Sequence, residues 1–191
     1  MTIELKGNWK KGFAYDVHTL DSVYLGVDEH GHDRWKNTRS EMGQLVYDLK
    51  YDRDKSAVAK IVDLLTKYKG IETMDAIVPV PATRWRPIQP VIEIARELGR
   101  RTNVLVLENL LVKKTDGPEL KNIDDPDERQ RHLKDIITIS EDYNISGQSV
   151  LLVDDLYRSG ATLSVATELL YNIAKVKAVF VLTMTKTRSK R

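Results

Sequence analysis

The chain has 191 residues, with 30 lysines and arginines against 28 aspartates and glutamates, and no cysteine. That length holds one α/β domain plus a modest extra element. The lack of cysteine excludes a disulfide framework or a thiolate metal site and fits a reducing compartment. The net charge of +2 selects no partner by itself. No apolar run approaches the ~20 residues of a membrane span, and the first residues lack the charged-then-apolar pattern of a signal peptide. The expectation is therefore a cytoplasmic protein with no membrane partner.

In chain order, residues 1–37 mix Trp9, Phe13, Tyr15, Tyr24 and Trp35 with glycines, and 12–17 and 22–26 read as short strands or a hairpin. His30 and His32 share a glycine turn with Asp28 and Asp33. A solvated loop suits that spacing better than a metal site, because no further histidine or cysteine completes a ligand set. Thr38 to Glu41 forms a capping-box pattern, and Met42, Leu45, Val46 and Leu49 follow at helical spacing. A second helix carries Val58, Ile61, Val62 and Leu65 and is expected to stop at Gly70. From Asp75 the pattern changes: 76–80 reads as an apolar strand. Pro90 opens a helix with Val91, Ile94, Ala95 and Leu98 on one stripe, closed by Gly99. Residues 104–112 read as a strand, 113–127 as a long polar loop, 125–128 as a helix start and 136–139 as another strand. Ser149 to Val153 is β-branched and leucine-rich without alternation, as a strand buried on both faces requires. A helix with Val165, Ala166, Leu169, Leu170 and Ile173 facing inward follows, then a strand at 178–183. Strand–helix–strand repetition after Asp75 predicts an α/β fold with a mainly parallel core sheet flanked by helices. The last residues, Lys186 to Arg191, read as a basic, solvated tail that offers at most a docking point for phosphate.

The segment Val150-Leu-Leu-Val-Asp-Asp-Leu-Tyr-Arg-Ser-Gly-Ala-Thr162 carries the functional signal. Ligands of an open parallel sheet bind beyond the carboxyl ends of the strands, where Asp154 and Asp155 fall. The loop at 156–161 leads into a helix, whose free amides and positive dipole end suit a phosphate. Gly160 permits close backbone approach, and Ser159 and Thr162 add hydroxyl donors. Acids beside a phosphate cradle suit a sugar phosphate: phosphate in the loop, ribose diol on the carboxylates. A Walker B strand would need a P-loop, which is absent. A receiver domain would keep its acids nearer the N-terminus. The plainer reading, aspartates that merely cap a helix, explains one acid better than two.

This stretch resembles the 5-phosphoribosyl-1-pyrophosphate (PRPP) motif of type I phosphoribosyltransferases. The resemblance implies that Asp154 and Asp155 act at the catalytic centre by holding the ribose hydroxyls. It implies that Arg158, Ser159, Gly160, Ala161 and Thr162 bind the 5′-phosphate, and that Mg²⁺ arrives on the pyrophosphate with some contact to Asp154. Val78-Pro-Val-Pro-Ala-Thr-Arg-Trp-Arg86 resembles the pyrophosphate loop of the ComF-like (competence protein F-like) group. Pro81, Ala82, Thr83, Arg84 and Arg86 are its candidate pyrophosphate contacts, since guanidinium suits phosphate oxygens. A surface turn with solvated arginines is the alternative.

Leu49-Lys-Tyr51 resembles another ComF-like element, with Lys50 within reach of a ligand or simply part of a polar interhelical corner. Lys113 and Lys114 open the segment that, in this fold, closes over the site, and are candidate charge donors to the leaving pyrophosphate. Gly117 to Leu120 and Arg129 to His132 depart from the family's pattern there. No cysteine ribbon of the ComF-like kind is possible, so the aromatic N-terminus is assigned to the hood that recognises the acceptor.

The expected organisation is a hood at 1–70, a PRPP-binding core at 71–185 and a basic tail at 186–191. The implied function is displacement of pyrophosphate from C1 of PRPP by a nitrogen nucleophile on an unidentified acceptor, with a homodimer suggested by analogy. The alternative is a PRPP-sensing or accessory module linked to DNA uptake, with nucleic acid as a partner of the tail.

Overall fold

A computed structural model describes residues 2–82, 86–114 and 136–188. Among them, strands β1 (Ile3–Glu4), β2 (Lys11–Val17), β10 (Ala178–Lys186), β9 (Ser149–Tyr157), β5 (Ala76–Pro79) and β6 (Leu105–Val106) form one sheet in that spatial order. All neighbours are parallel except the edge strand β1. Strands β3 (Thr19–Val27) and β4 (Asp33–Arg39) form a separate antiparallel hairpin, and β7 (Leu111–Lys113) and β8 (Ile137–Ile139) another antiparallel pair.

The sheet is covered on both faces, which is why its strands read as continuous apolar runs. Val150 and Leu152 of β9 pack with Ala76, Val78, Val179 and Val181 against helix α4 (Ala161–Asn172) and the β7–β8 pair. Leu151 and Val153 turn the other way with Ile77, Leu182 and Met184, against α1 (Glu41–Tyr47), α2 (Ser56–Leu65) and α3 (Pro90–Thr102). Alternation along each strand thus serves two cores rather than core and water.

Several boundaries differ from the sequence reading. Residues 11–17 do form a strand, but it pairs with β10 and joins the main sheet instead of forming a hairpin with the next one. The cap of α1 is Ser40, whose side chain accepts the Gly43 amide, not Thr38, which lies in β4. The second helix ends at Leu65, and Gly70 precedes a short 3₁₀ turn. Gly99 lies inside α3, where a Cβ would run into Val106 and the Val104 carbonyl; the helix stops at Asn103, in the left-handed conformation. The segment 104–112 divides between β6 and β7, which belong to different sheets. The tail is not wholly solvated: Lys186 ends β10, and Arg188 donates to the Leu20 carbonyl oxygen at 2.6 Å. The expected helix start at 125–128, the Gly117–Leu120 and Arg129–His132 segments and the last three residues lie outside the described residues.

Chain direction creates the functional crevice. After β5 the chain crosses through α3 to β6 at one edge; after β9 it crosses through α4 to β10 on the opposite side. The connections diverge between β5 and β9, and this switch point is where open α/β sheets bind ligands. Among the described residues, no helix is long and apolar enough to cross a membrane.

Candidate functional site

Strand β5 stops at Pro79, paired with Val153, and the Val80 amide makes the last bond across, to the Val153 carbonyl at 2.9 Å. Pro79 and Pro81 have no amide to continue a ladder. Strand β9 runs on, paired with β10 as far as Tyr157 opposite Lys186. It therefore extends past the two acids, beyond the end expected from its apolar run, because β10 is long enough to keep pairing it. Asp154 and Asp155 are consequently held on a rigid strand at the point where β5 has fallen away.

A cleft of about 240 Å³ opens there. Lys50, Pro81, Ala82 and Arg86 line it on one side; Asp154, Asp155 and the stretch from Arg158 through Ser159, Gly160, Ala161 and Thr162 line it on the other. Thr83 and Arg84 lie outside the described residues. Lys113 ends β7, and the Lys114 amide donates to the Ile136 carbonyl at 2.7 Å. Neither lysine is among the residues that line the cleft.

The loop between β9 and α4 is shorter than the sequence suggested, because helix begins at Ala161. Gly160 precedes it with φ of 80°, and a Cβ there would come within 2.8 Å of the Tyr157 ring. Only glycine meets both demands. Gly160 offers no side-chain cap to α4, and the Ala161 amide makes a long contact of 3.5 Å to the Ser159 hydroxyl, so the start of the helix at the cleft mouth suits an anion. Tyr157 is braced from below by Trp9, edge-on at a centroid distance of 6.4 Å. Trp9 is buried and donates through its indole nitrogen to the Leu5 carbonyl at 2.9 Å. This N-terminal aromatic supports the loop from the core.

The acids are electrostatically unequal. Asp155 accepts from Lys50 Nζ at 2.7 Å, with both side chains largely shielded. Among the described residues, Asp154 accepts only the Asp155 amide, at 2.8 Å. Burial raises the Asp154 carboxyl from 3.8 to about 8; the Asp155 charge adds to the rise, while the amide and Lys50 oppose it. Two adjacent carboxylates share one lysine, so near neutrality one tends to keep its proton.

Lys50 arrives through a local irregularity. Helix α1 runs directly into a π-helical turn, Asp48–Asp52, which ends at Arg53 with φ of 59°. Widened turns of this kind redirect side chains and recur at functional sites. Lys50 thus lines the cleft from the corner between the two helices. Beside it, Arg39 stacks over Tyr47 at 3.7 Å, Tyr47 lies 4.7 Å from Tyr51, and Arg86 stands 5.8 Å from Tyr51.

Sequence reasoning missed His18, which follows β2 at the same end of the sheet. Its Nδ1 lies 3.1 Å from Thr185 Oγ1, and that hydroxyl donates to the Asp155 carbonyl at 3.0 Å. An isolated histidine outside any motif gave no signal. Its importance lies in the neighbours that the sheet brings to it.

With two converging acids, a helix N-terminus and flanking cations, the cleft can hold a polyanion that also carries a vicinal diol. Among the described residues no group of three or more histidines, aspartates or glutamates is placed to hold a metal ion. The donor set fits a Mg²⁺ that keeps water and ligand oxygens and takes at most one carboxylate from the protein.

No family model matches the chain, and no curated protein sequence matches it. Among solved structures it is similar to the glutamine PRPP amidotransferase of B. subtilis complexed with ADP and GMP, at 18% identity and a TM-score of 0.53. That match covers 82% of this chain and 34% of the other, so the chain spans about a third of that protein. It is also similar to an adenine phosphoribosyltransferase of Thermoanaerobacter pseudethanolicus (17% identity, TM-score 0.49, covering 79% of this chain and 88% of that one). A third likeness is to the orotate phosphoribosyltransferase of Aeropyrum pernix (18%, 0.44, 86% and 77%). The first likeness, with the sheet order and the switch-point cleft, gives the chain the type I phosphoribosyltransferase fold.

Proposed function

We propose that this chain is a PRPP-dependent phosphoribosyltransferase of the ComF-like group, acting in the cytoplasm with Mg²⁺ and an acceptor that attacks through nitrogen. The observation that carries the reading is the meeting of Asp154, Asp155 and the start of α4 in one cleft, with Lys50 and Arg86 on the facing side. Fold likeness raises the prior, but the site supports the function.

In this reading Asp154 and Asp155 bind the 2′- and 3′-hydroxyls of the ribose. Loop residues 158–160 with Ala161 and Thr162 take the 5′-phosphate. Pro81, Ala82, Thr83, Arg84 and Arg86 receive the pyrophosphate, with Lys50 at its side. An Asp154 that keeps its proton lowers the negative charge facing a polyanionic substrate and offers a donor to a hydroxyl oxygen. The C1–oxygen bond breaks, pyrophosphate leaves with the electron pair, and a nitrogen–C1 bond forms as the nitrogen gives up a proton. Bound Mg²⁺ would neutralise charge on the leaving group. The protein's part is to place the reactants and to aim amides and cations at the developing charge. The division into a hood at 1–70, a core at 71–185 and a tail belongs to this proposal.

The test is calorimetric titration of PRPP with Mg²⁺ into the wild type and into an Asp154→Asn, Asp155→Asn double variant. Binding by the wild type that disappears in the variant supports the assignment; a folded wild type that does not bind PRPP sinks it. One observation favours a second reading, a PRPP-sensing module without turnover: Lys113 and Lys114, the expected charge donors, do not line the cleft. PRPP binding without pyrophosphate release from any nucleobase or amine acceptor would select that reading.

A further inference from the structure

A nitrogen nucleophile must lose a proton as it attacks, and in the phosphoribosyl reading both cleft carboxyls are engaged with the ribose. A base is therefore needed on the acceptor side, toward β2, the β3–β4 hairpin and α1. His18 stands there. Its backbone amide donates to the Lys186 carbonyl at 2.8 Å and its carbonyl accepts from the Ser40 amide at 3.4 Å, which ties the residue to the end of β10 and to the start of α1.

The hydrogen bonds decide where its proton sits. Thr185 is fully buried, and its hydroxyl hydrogen is committed to the Asp155 carbonyl at 3.0 Å. A hydroxyl has one hydrogen to donate, so toward His18 the Thr185 oxygen must accept. The proton of the 3.1 Å contact therefore lies on Nδ1, and Nε2 carries a lone pair. Among the described residues the ring has no other hydrogen-bond partner. The charged groups around it come from three elements: Lys50 from the π turn, Arg39 from the end of β4 and Asp155 from β9. Burial first, then Lys50 and Arg39, hold the imidazole below its ordinary 6.5, against the opposing Asp155, so it is neutral near pH 7.

We infer that Nε2 of His18 is the general base that takes the proton from the attacking nitrogen, so that the acceptor is a molecule presenting an N–H at its reacting atom. The inference rests on the phosphoribosyl reading of the cleft. In the step, nitrogen bonds to C1, pyrophosphate departs with the C1–oxygen electron pair, and the N–H proton passes to Nε2, leaving an imidazolium that returns the proton to water. Thr185 has a positioning role: it fixes the tautomer and links the base to the Asp155 backbone.

Three measurements test this. Long-range ¹H–¹⁵N correlation spectra, with His18 assigned by its loss in a His18→Asn variant, report the tautomer; a protonated Nδ1 and a bare Nε2 at pH 7 are expected. Asn keeps a side-chain donor near the Nδ1 position for Thr185 while removing Nε2. The variant should bind PRPP with unchanged Kd. Pyrophosphate release is then followed with a panel of adenine, hypoxanthine, guanine, uracil, orotate and ammonium. Against the wild type, kcat in the variant should fall about 100-fold or more, and the decline of rate at acid pH below 6.5 should vanish. A merely structural histidine would not produce that loss of the acid limb. A proton on Nε2, unchanged turnover in the variant, or PRPP binding with no release from any panel member overturns the inference. Failure of the wild type to bind PRPP overturns the phosphoribosyl reading and this inference with it, whereas PRPP binding with an Nε2–H imidazole overturns this inference alone.

Discussion

One wall of the cleft, from Asp154 through loop 158–160 into α4, is a single consecutive stretch seated on the middle of the sheet. The facing wall takes Lys50 from a π turn and Arg86 from the segment before α3, with His18 reaching the same sheet edge from the end of β2. The first wall rests on buried residues in both cores and on the Trp9–Tyr157 contact. The second borders a hairpin that exposes Leu20, Val23, Tyr24, Leu25, Val27 and Trp35. A sugar phosphate has a fixed shape that a rigid wall can anticipate, while an acceptor varies between enzymes. Under the proposed function, the contrast assigns rigid binding to one side and adaptable selection to the other.

The sharpest way to break that comparison is at the sheet. Leu152 is fully buried in the middle of β9, so Leu152→Ala should cost about 2–5 kcal/mol in urea unfolding, from lost transfer energy and the cavity left behind. A loss below about 1 kcal/mol would mean that the β9 wall is not the rigid one.

A smaller effect, of opposite sign, is expected at Asp154. The unfolded carboxyl loses its proton near 3.8, whereas the folded one keeps it to about 8. Between those values the unfolded state binds fewer protons, so this group's contribution to stability declines as pH rises through the window. Asp154→Asn should therefore be more stable than the wild type at pH 8, by about 1–2 kcal/mol, and the gain should shrink toward pH 4. Denaturation at the two pH values checks this, and a variant less stable at pH 8 would refute the raised proton affinity of the Asp154 carboxyl.

The smallest effect belongs to the hairpin. Leu25 is 52% exposed, and Leu25→Ser should change stability by no more than about 0.5 kcal/mol. A larger loss would show that the hairpin is covered in solution.

The β9 segment was legible because its chemistry is local. Four apolar residues, two acids and a glycine before a helix start are neighbours in the chain, and a strand–turn–helix keeps them neighbours in space. Even there the extent of the strand was not legible, since β9 runs past its apolar residues only because β10 continues to pair with it. Cap and helix ends were misplaced where alternatives stood a residue or two apart: Ser40 rather than Thr38, Asn103 rather than Gly99. Lys50 was a candidate from its motif, but its 2.7 Å contact with Asp155 depends on the π turn.

By itself, then, the sequence determined an α/β chain with a doubly covered parallel sheet, and an acid pair followed by a phosphate-type loop. Burial pattern and backbone freedom are properties of neighbouring residues, so they can be read along the chain. Only the tertiary structure decided that residues 11–17 enter the main sheet beside β10, that the cleft lies between β5 and β9, and that His18 meets Thr185 from 167 residues away. Those pairings depend on strand order and on which edge each crossover takes, and no local preference carries that information.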